Sequence, residues 1–111
     1  MTFDEYQKIA LTTAKKTYDD PMIQNSIWAM GIAGEAGEVI EKWKKIMAYK
    51  NGRLEEEDIA ELAKEMGDVI WYIAVLADSL GLSFEQIMQM NTKKLADRNQ
   101  RGKIMGAGDN R

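Results

Sequence analysis

"YKNGRLEEED", Tyr49 to Asp58, decides how this chain folds. Asn51-Gly52 is a turn signal, and the acids Glu55 to Asp58 that follow suit the positive N-terminal end of a helix. Apolar residues recur at helical spacing on both sides, so the stretch reads as the bend of a helical hairpin.

Downstream, Ile59, Leu62, Met66, Ile70, Ile73, Ala77 and Leu80 fall at core spacing for a third helix. Gly81 ends it, and Ser83 with Gln86 forms a capping box for a fourth helix running to about Arg101. "GKIMGAGDNR", residues 102–111, reads as a glycine-rich tail without regular structure. Upstream, Asp20-Pro21 is an N-cap and first helical position. The second helix then continues to about Ala48, with an interruption expected near Gly31 or Gly34. A first helix begins at a Thr2–Glu5 capping box and carries Phe3, Tyr6, Ile9, Ala10 and Thr13 on one face to about Tyr18. The expected fold is all-α, a four-to-five-helix bundle, with one helical domain over residues 1–101 and a tail over 102–111.

Composition narrows the chemistry. A chain of 111 residues with 45% hydrophobic content suits one domain with one core. It has no cysteine and no histidine, which excludes disulfides, thiolate sites and the commonest general base and transition-metal ligand. A metal here must be bound through oxygen. Fifteen basic and 18 acidic residues give a net charge of −3, which argues against a binder of nucleic-acid polymers. No basic-then-apolar leader and no apolar run near 20 residues is present. The chain is therefore expected in the cytoplasm, without a membrane partner.

A repeat crosses the hairpin. "AGEAGEVI" at Ala33 to Ile40 aligns with "AKEMGDVI" at Ala63 to Ile70, at an offset of 30 residues. Each copy places two acids three residues apart, on one helix face: Glu35 with Glu38, and Glu65 with Asp68. In a hairpin centred on Asn51-Gly52, Glu35 falls level with Asp68 and Glu38 with Glu65. If the two helices face each other with these sides, four carboxylates converge, beside glycines at 34, 37 and 67 that permit either close backbone approach or room for a ligand; the alternative is that both acid pairs are solvated surface. Two like charges 4 Å apart repel by about 4 kcal/mol at an effective dielectric near 20, so a positive partner is required. Carboxylates without His or Cys suit hard divalent cations such as Mg²⁺, which keeps water and substrate phosphate in its shell.

Other residues group around these acids. Glu61 and Tyr72 share the face of Glu65 and Asp68. Glu61 is a candidate further ligand or general base, or else solvated surface. Tyr72 is a candidate for base stacking or for the core. Trp28, Trp43 and Trp71 are expected in the core or at a subunit interface. Lys42 is a candidate to neutralise the acids or to touch phosphate, with an internal salt bridge the preferred reading. On the fourth helix Asn91, Lys94 and Arg98 recur at spacings of three and four, so Lys94 and Arg98 can clamp an anion together or form an ordinary charged face.

E-x-x-E followed, after 26 intervening residues, by E-x-x-D resembles the all-α nucleoside triphosphate pyrophosphohydrolases of the MazG-like group, over roughly Trp28 to Arg98. The resemblance implies that Glu35, Glu38, Glu65 and Asp68 are Mg²⁺ ligands, with Mn²⁺ as an alternative. It also implies that Asn91, Lys94 and Arg98 contact phosphate and that Tyr72 lies against the base. The expected reaction cleaves a (d)NTP between its α and β phosphates, giving (d)NMP and pyrophosphate, with Glu38 or Glu61 as general base. A homodimer or homotetramer is expected to complete the bundle. The competing reading is a non-catalytic helical protein-interaction module with a structural cation site. A di-iron carboxylate bundle is disfavoured, since its Glu-x-x-His motifs need histidine.

Overall fold

Each helix starts where the local chemistry permits. In the computed structural model, which describes residues 1–111, the Thr2 hydroxyl accepts from the Glu5 N–H at 3.0 Å and opens α1 (Phe3–Leu11). The Asp20 carboxylate accepts from the Met22 N–H at 2.9 Å and opens α2 (Pro21–Lys50). α3 (Glu56–Ser79) begins with three acids in its first turn. α4 (Phe84–Gln100) begins at the expected reciprocal box: Ser83 accepts from the Gln86 N–H, and Gln86 accepts from the Ser83 N–H at 2.7 Å. There are four helices and no strand, so the chain is all-α. No single helix is long and apolar enough to cross a membrane.

Two boundaries differ from the sequence reading. α1 stops at Leu11 instead of near Tyr18. The Thr12 and Thr13 hydroxyls donate to the Ile9 and Ala10 carbonyls at 2.6 and 2.9 Å and close the last turn. Buried Gln24 then holds the connection, its Oε1 accepting from the backbone N–H groups of Thr17 and Tyr18. α2 runs unbroken through Gly31 and Gly34 and ends two residues beyond Ala48. Asn51 (φ 52°) and Gly52 (φ 76°) are both left-handed, the conformation that ends a helix with least strain at Gly or Asn.

The core sits at one end of the molecule. Ala10, Trp28, Ala74, Val75 and Phe84 form it, with Tyr6, Leu11, Trp71 and Tyr72 packed around them. Trp71 meets Trp28 and Tyr72 edge-on, at ring-centroid distances of 5.7 and 4.9 Å, and its indole N–H donates to Thr13 Oγ1 at 2.9 Å. Buried Gln7 ties three elements together: its amide donates to the carbonyls of Ala74 (3.0 Å) and Leu82 (3.1 Å) and accepts from the Phe84 N–H (3.1 Å). α4 leaves the end of α3 at 102°.

The rest of the α2–α3 hairpin projects from this core. Of the expected core residues on α3, Leu62 and Ala77 are buried, but Ile59, Met66, Ile70 and Leu80 are exposed. On α2, Ile40, Trp43 and Met47 are exposed as well. A two-helix layer can bury only the faces turned toward each other or toward a third element, and α1 approaches this stretch only near Gly67 and Ile70, across an open cavity. The radius of gyration is accordingly 17.0 Å, against about 13 Å for a compact domain of this length.

Candidate functional site

The hairpin brings the repeated acids together. One carboxylate oxygen each from Glu35, Glu65 and Asp68 lies within 4.8 Å of the others. The register expected from the Asn51-Gly52 turn is the one that places Glu35 beside Asp68. Burial raises the Glu35 pKa from its ordinary value, and Asp68, Glu65 and Glu38 raise it further in that order. Desolvation and like-charge neighbours both disfavour the ionised carboxylate. Glu38 is exposed and lies outside the group of three, yet near enough for its charge to act on Glu35.

Positive charge approaches from one side. Lys42 Nζ lies 3.5 Å from Glu65 and 3.4 Å from Glu61, the internal salt-bridge role expected for it. Glu61 also accepts from Lys64 at 2.8 Å. The hydrogen bond from Lys64, helped by Lys42, holds the Glu61 carboxyl below its ordinary pKa. Glu38 has no ion pair.

The glycines separate into two kinds. A Cβ on Gly31 would lie 2.2 Å from Tyr72 Cε1, so the Tyr72 ring rests on the bare backbone of α2. A Cβ on Gly34, Gly37 or Gly67 would meet nothing within 4 Å. Close helix approach therefore explains Gly31, and free space surrounds the three glycines beside the acids. Tyr72 itself is half-buried between Trp28 and Trp71 at the core end.

Tyr6 joins the site from α1. Burial raises the pKa of its hydroxyl, and the nearby Asp68 charge adds to the effect. Beside it, Met1, Thr2, Phe3, Gly67, Ile70 and Glu85 line an open cavity of about 400 Å³. Periodicity marked Tyr6 only as one apolar position of a short helix. Its approach to Asp68 depends on α1 packing across α3, which no local pattern encodes.

Asn91, Lys94 and Arg98 lie on α4. No hydrogen bond or ion pair links them to the acids; Lys94 and Arg98 instead meet Asp109 of the tail, each at 3.1 Å. Asn91 is exposed, and with Lys94, Leu82, Ile87 and Met90 it lines a second open cavity. Asp109 carried no signal in the sequence beyond its place among glycines.

A family model described as the MazG nucleotide pyrophosphohydrolase domain matches residues 25–102. Gene 37 protein of Mycobacterium phage L5 is 46% identical over 82 residues, covering 74% of this chain and 72% of that protein. The uncharacterized protein YvdC of Bacillus subtilis (strain 168) is 40% identical over 72 residues, covering 58% of this chain and 65% of that protein. No solved structure matches at a comparable level.

Proposed function

Because the chain belongs to the MazG nucleotide pyrophosphohydrolase family, we propose that it hydrolyses nucleoside triphosphates between the α and β phosphates with Mg²⁺ as cofactor. The observation that carries this reading is the convergence of Glu35, Glu65 and Asp68 from two facing helices. An all-oxygen, all-anionic donor set fits a hard divalent cation, and three carboxylates leave coordination positions for water and phosphate. Glu38 is the fourth candidate ligand, from the adjacent turn. A Mg²⁺ ion held by these carboxylates would supply positive charge to phosphate oxygens and to the charge that develops as the anhydride breaks, and Mn²⁺ would supply the same.

The chain's own groups have separable tasks. Lys42 holds Glu65 and Glu61 by ion pairs and lessens repulsion within the cluster. In the reaction a water oxygen bonds to the α phosphorus, the bond to the α–β bridging oxygen breaks, and one water proton passes to a carboxylate. Glu38, which has no ion pair, is freer to take that proton than Glu61, which Lys42 and Lys64 hold at 3.4 and 2.8 Å. Lys94 and Arg98 offer cations to the phosphate chain. Tyr72 is the candidate contact for the base.

A second copy of the chain fits the hairpin. Ala36, Val39 and Ile40 of α2 and Met66, Val69 and Ile70 of α3 line an open, wholly apolar groove. The accessible surface is 8207 Å², against about 6,200 Å² for a compact monomer of this mass. The excess of about 2,000 Å² is what one protomer commonly buries in an obligate homodimer. Two hairpins packed through this groove make a four-helix layer, as a homodimer or as one half of a homotetramer, and bring the neighbour's residues toward the acids.

The test is product analysis with a panel of NTPs and dNTPs plus Mg²⁺. Monophosphate and pyrophosphate are expected, and Glu38→Gln should fold yet turn over at least about a hundredfold more slowly. Release of orthophosphate, or undiminished turnover by the variant, would contradict the reading. Sedimentation velocity is expected to give a dimer or tetramer; a monomer at micromolar concentration would refute the assembly.

A further inference from the structure

The tail is folded back onto the cations of α4. Arg98 is buried, its side chain 5% exposed, and the carboxylate it meets is Asp109. Arg98 Nη2 donates to Asp109 Oδ1 at 3.1 Å and to the Asp109 backbone oxygen at 2.6 Å, while Lys94 Nζ donates to the same Oδ1 at 3.1 Å. A single oxygen thus receives both cations, as a phosphate oxygen would. The Arg98 contact, with Lys94 second, holds the Asp109 carboxyl below its ordinary pKa, so it stays charged at neutral pH.

The loop that presents Asp109 is organised by its own polar contacts. The Arg111 guanidinium donates to the carbonyls of Lys103 and Ile104, both at 3.0 Å, and to that of Gly108. Gly106 (φ 150°) and Gly108 (φ 83°) supply the bends. No apolar anchor fixes it: Met105 is 90% exposed and Ile104 is exposed as well. The Asp109 side chain itself lies at the solvent edge, 80% exposed. Contacts of this kind are weak singly and screened by salt, so the loop is held closed without being locked.

We propose that residues 103–111 are a tethered competitor for phosphate, with Asp109 occupying the Lys94–Arg98 pair until a polyphosphate displaces it. The proposal rests on the reading of Lys94 and Arg98 as phosphate-binding residues. A tethered carboxylate competes at a high effective concentration, yet a polyphosphate offers more charge and more oxygens to the same two cations. Apparent affinity falls by the fraction of time the pair is free. The tail therefore sets a threshold of anion concentration below which the clamp stays covered.

The experiment is calorimetric titration of inorganic pyrophosphate, without divalent cation, into the full chain and its Asp109→Asn, Asp109→Glu, Arg111→Ala and Lys94→Ala variants. If the pair is free about a tenth of the time, Asp109→Asn binds about tenfold tighter. Arg111→Ala should tighten binding in the same direction, Asp109→Glu should stay near the unmodified chain, and Lys94→Ala should weaken it. Equal or weaker binding by Asp109→Asn, with Lys94→Ala still weakening it, would overturn the tail's role and leave the phosphate reading standing. No pyrophosphate binding by either the unmodified chain or Asp109→Asn, or no effect of Lys94→Ala, would overturn the phosphate reading and the proposal with it.

Discussion

Gly31 and Gly67 sit on facing helices and have opposite surroundings. Gly31 belongs to the core end, where Trp28, Trp71 and Tyr72 fill the space against α2 and leave no room for a methyl group. Gly67 belongs to the projecting hairpin, beside the acid cluster, where a methyl group would touch nothing. The difference teaches that the chain is built unevenly. One end is packed for stability, and the hairpin holds the partly buried Glu35 and Glu65 with exposed Asp68 beyond it.

The sharpest way to break this contrast is at Gln7. Gln7→Leu would leave the Leu82 carbonyl and the Phe84 N–H without their partner and remove the additional bond to the Ala74 carbonyl, which keeps its helical one. Unpaired buried groups cost about 1–3 kcal/mol each, so a loss of about 3 kcal/mol or more is expected in urea unfolding. A loss under about 1 kcal/mol would mean that α1 is not fixed to the α3–α4 corner. Gly31→Ala comes next. Overpacking against Tyr72 costs about 1–3 kcal/mol, more than the gain of about 0.5–1 kcal/mol from helix propensity; a net rise in thermal midpoint would refute the close contact.

How far the sequence exposes this unevenness differs along the chain. The hairpin is legible because its signals are local: the Asn51-Gly52 turn, the acids before α3, and the repeat that sets Glu35 level with Asp68. Helix caps at Thr2, Asp20 and Ser83 are legible for the same reason. The end of α1 is not, since apolar spacing continues past Leu11 while Gln24 captures the backbone at Thr17 and Tyr18. Core spacing on α3 identified an apolar face but not what covers it, so Ile59, Met66 and Ile70 look like core residues and lie exposed. The Tyr6–Asp68 approach and the Asp109 clamp join segments far apart in sequence and carry no motif.

Smaller effects sharpen the hairpin side of the comparison. Gly67→Ala should stabilise the chain by about 0.5–1 kcal/mol, the helix-propensity gain in open space. A destabilised variant would mean that another surface lies against α3 at that level. At the hairpin tip, Lys50 Nζ lies 2.9 Å from Asp58. This hydrogen bond, with that from the Glu55 backbone N–H second, holds the Asp58 carboxyl below its ordinary pKa. A depressed carboxyl contributes stability above its unfolded value, about 3.9, and loses it as pH falls through the folded value. Asp58→Asn should therefore lower the thermal midpoint slightly at pH 7 and by progressively less below about pH 4. A gap that stays constant or widens in acid would contradict the ion pair.

The central claim is that Glu35, Glu65 and Asp68 together hold a divalent cation. Mn²⁺ titration followed by electron paramagnetic resonance reads that directly, since bound Mn²⁺ is lost from the sharp free-ion signal. The unmodified chain should bind Mn²⁺ in competition with Mg²⁺, and Glu35→Gln should weaken that binding by at least about tenfold, as loss of an oxygen ligand and of its charge implies. Undiminished binding by a folded Glu35→Gln chain would contradict the account.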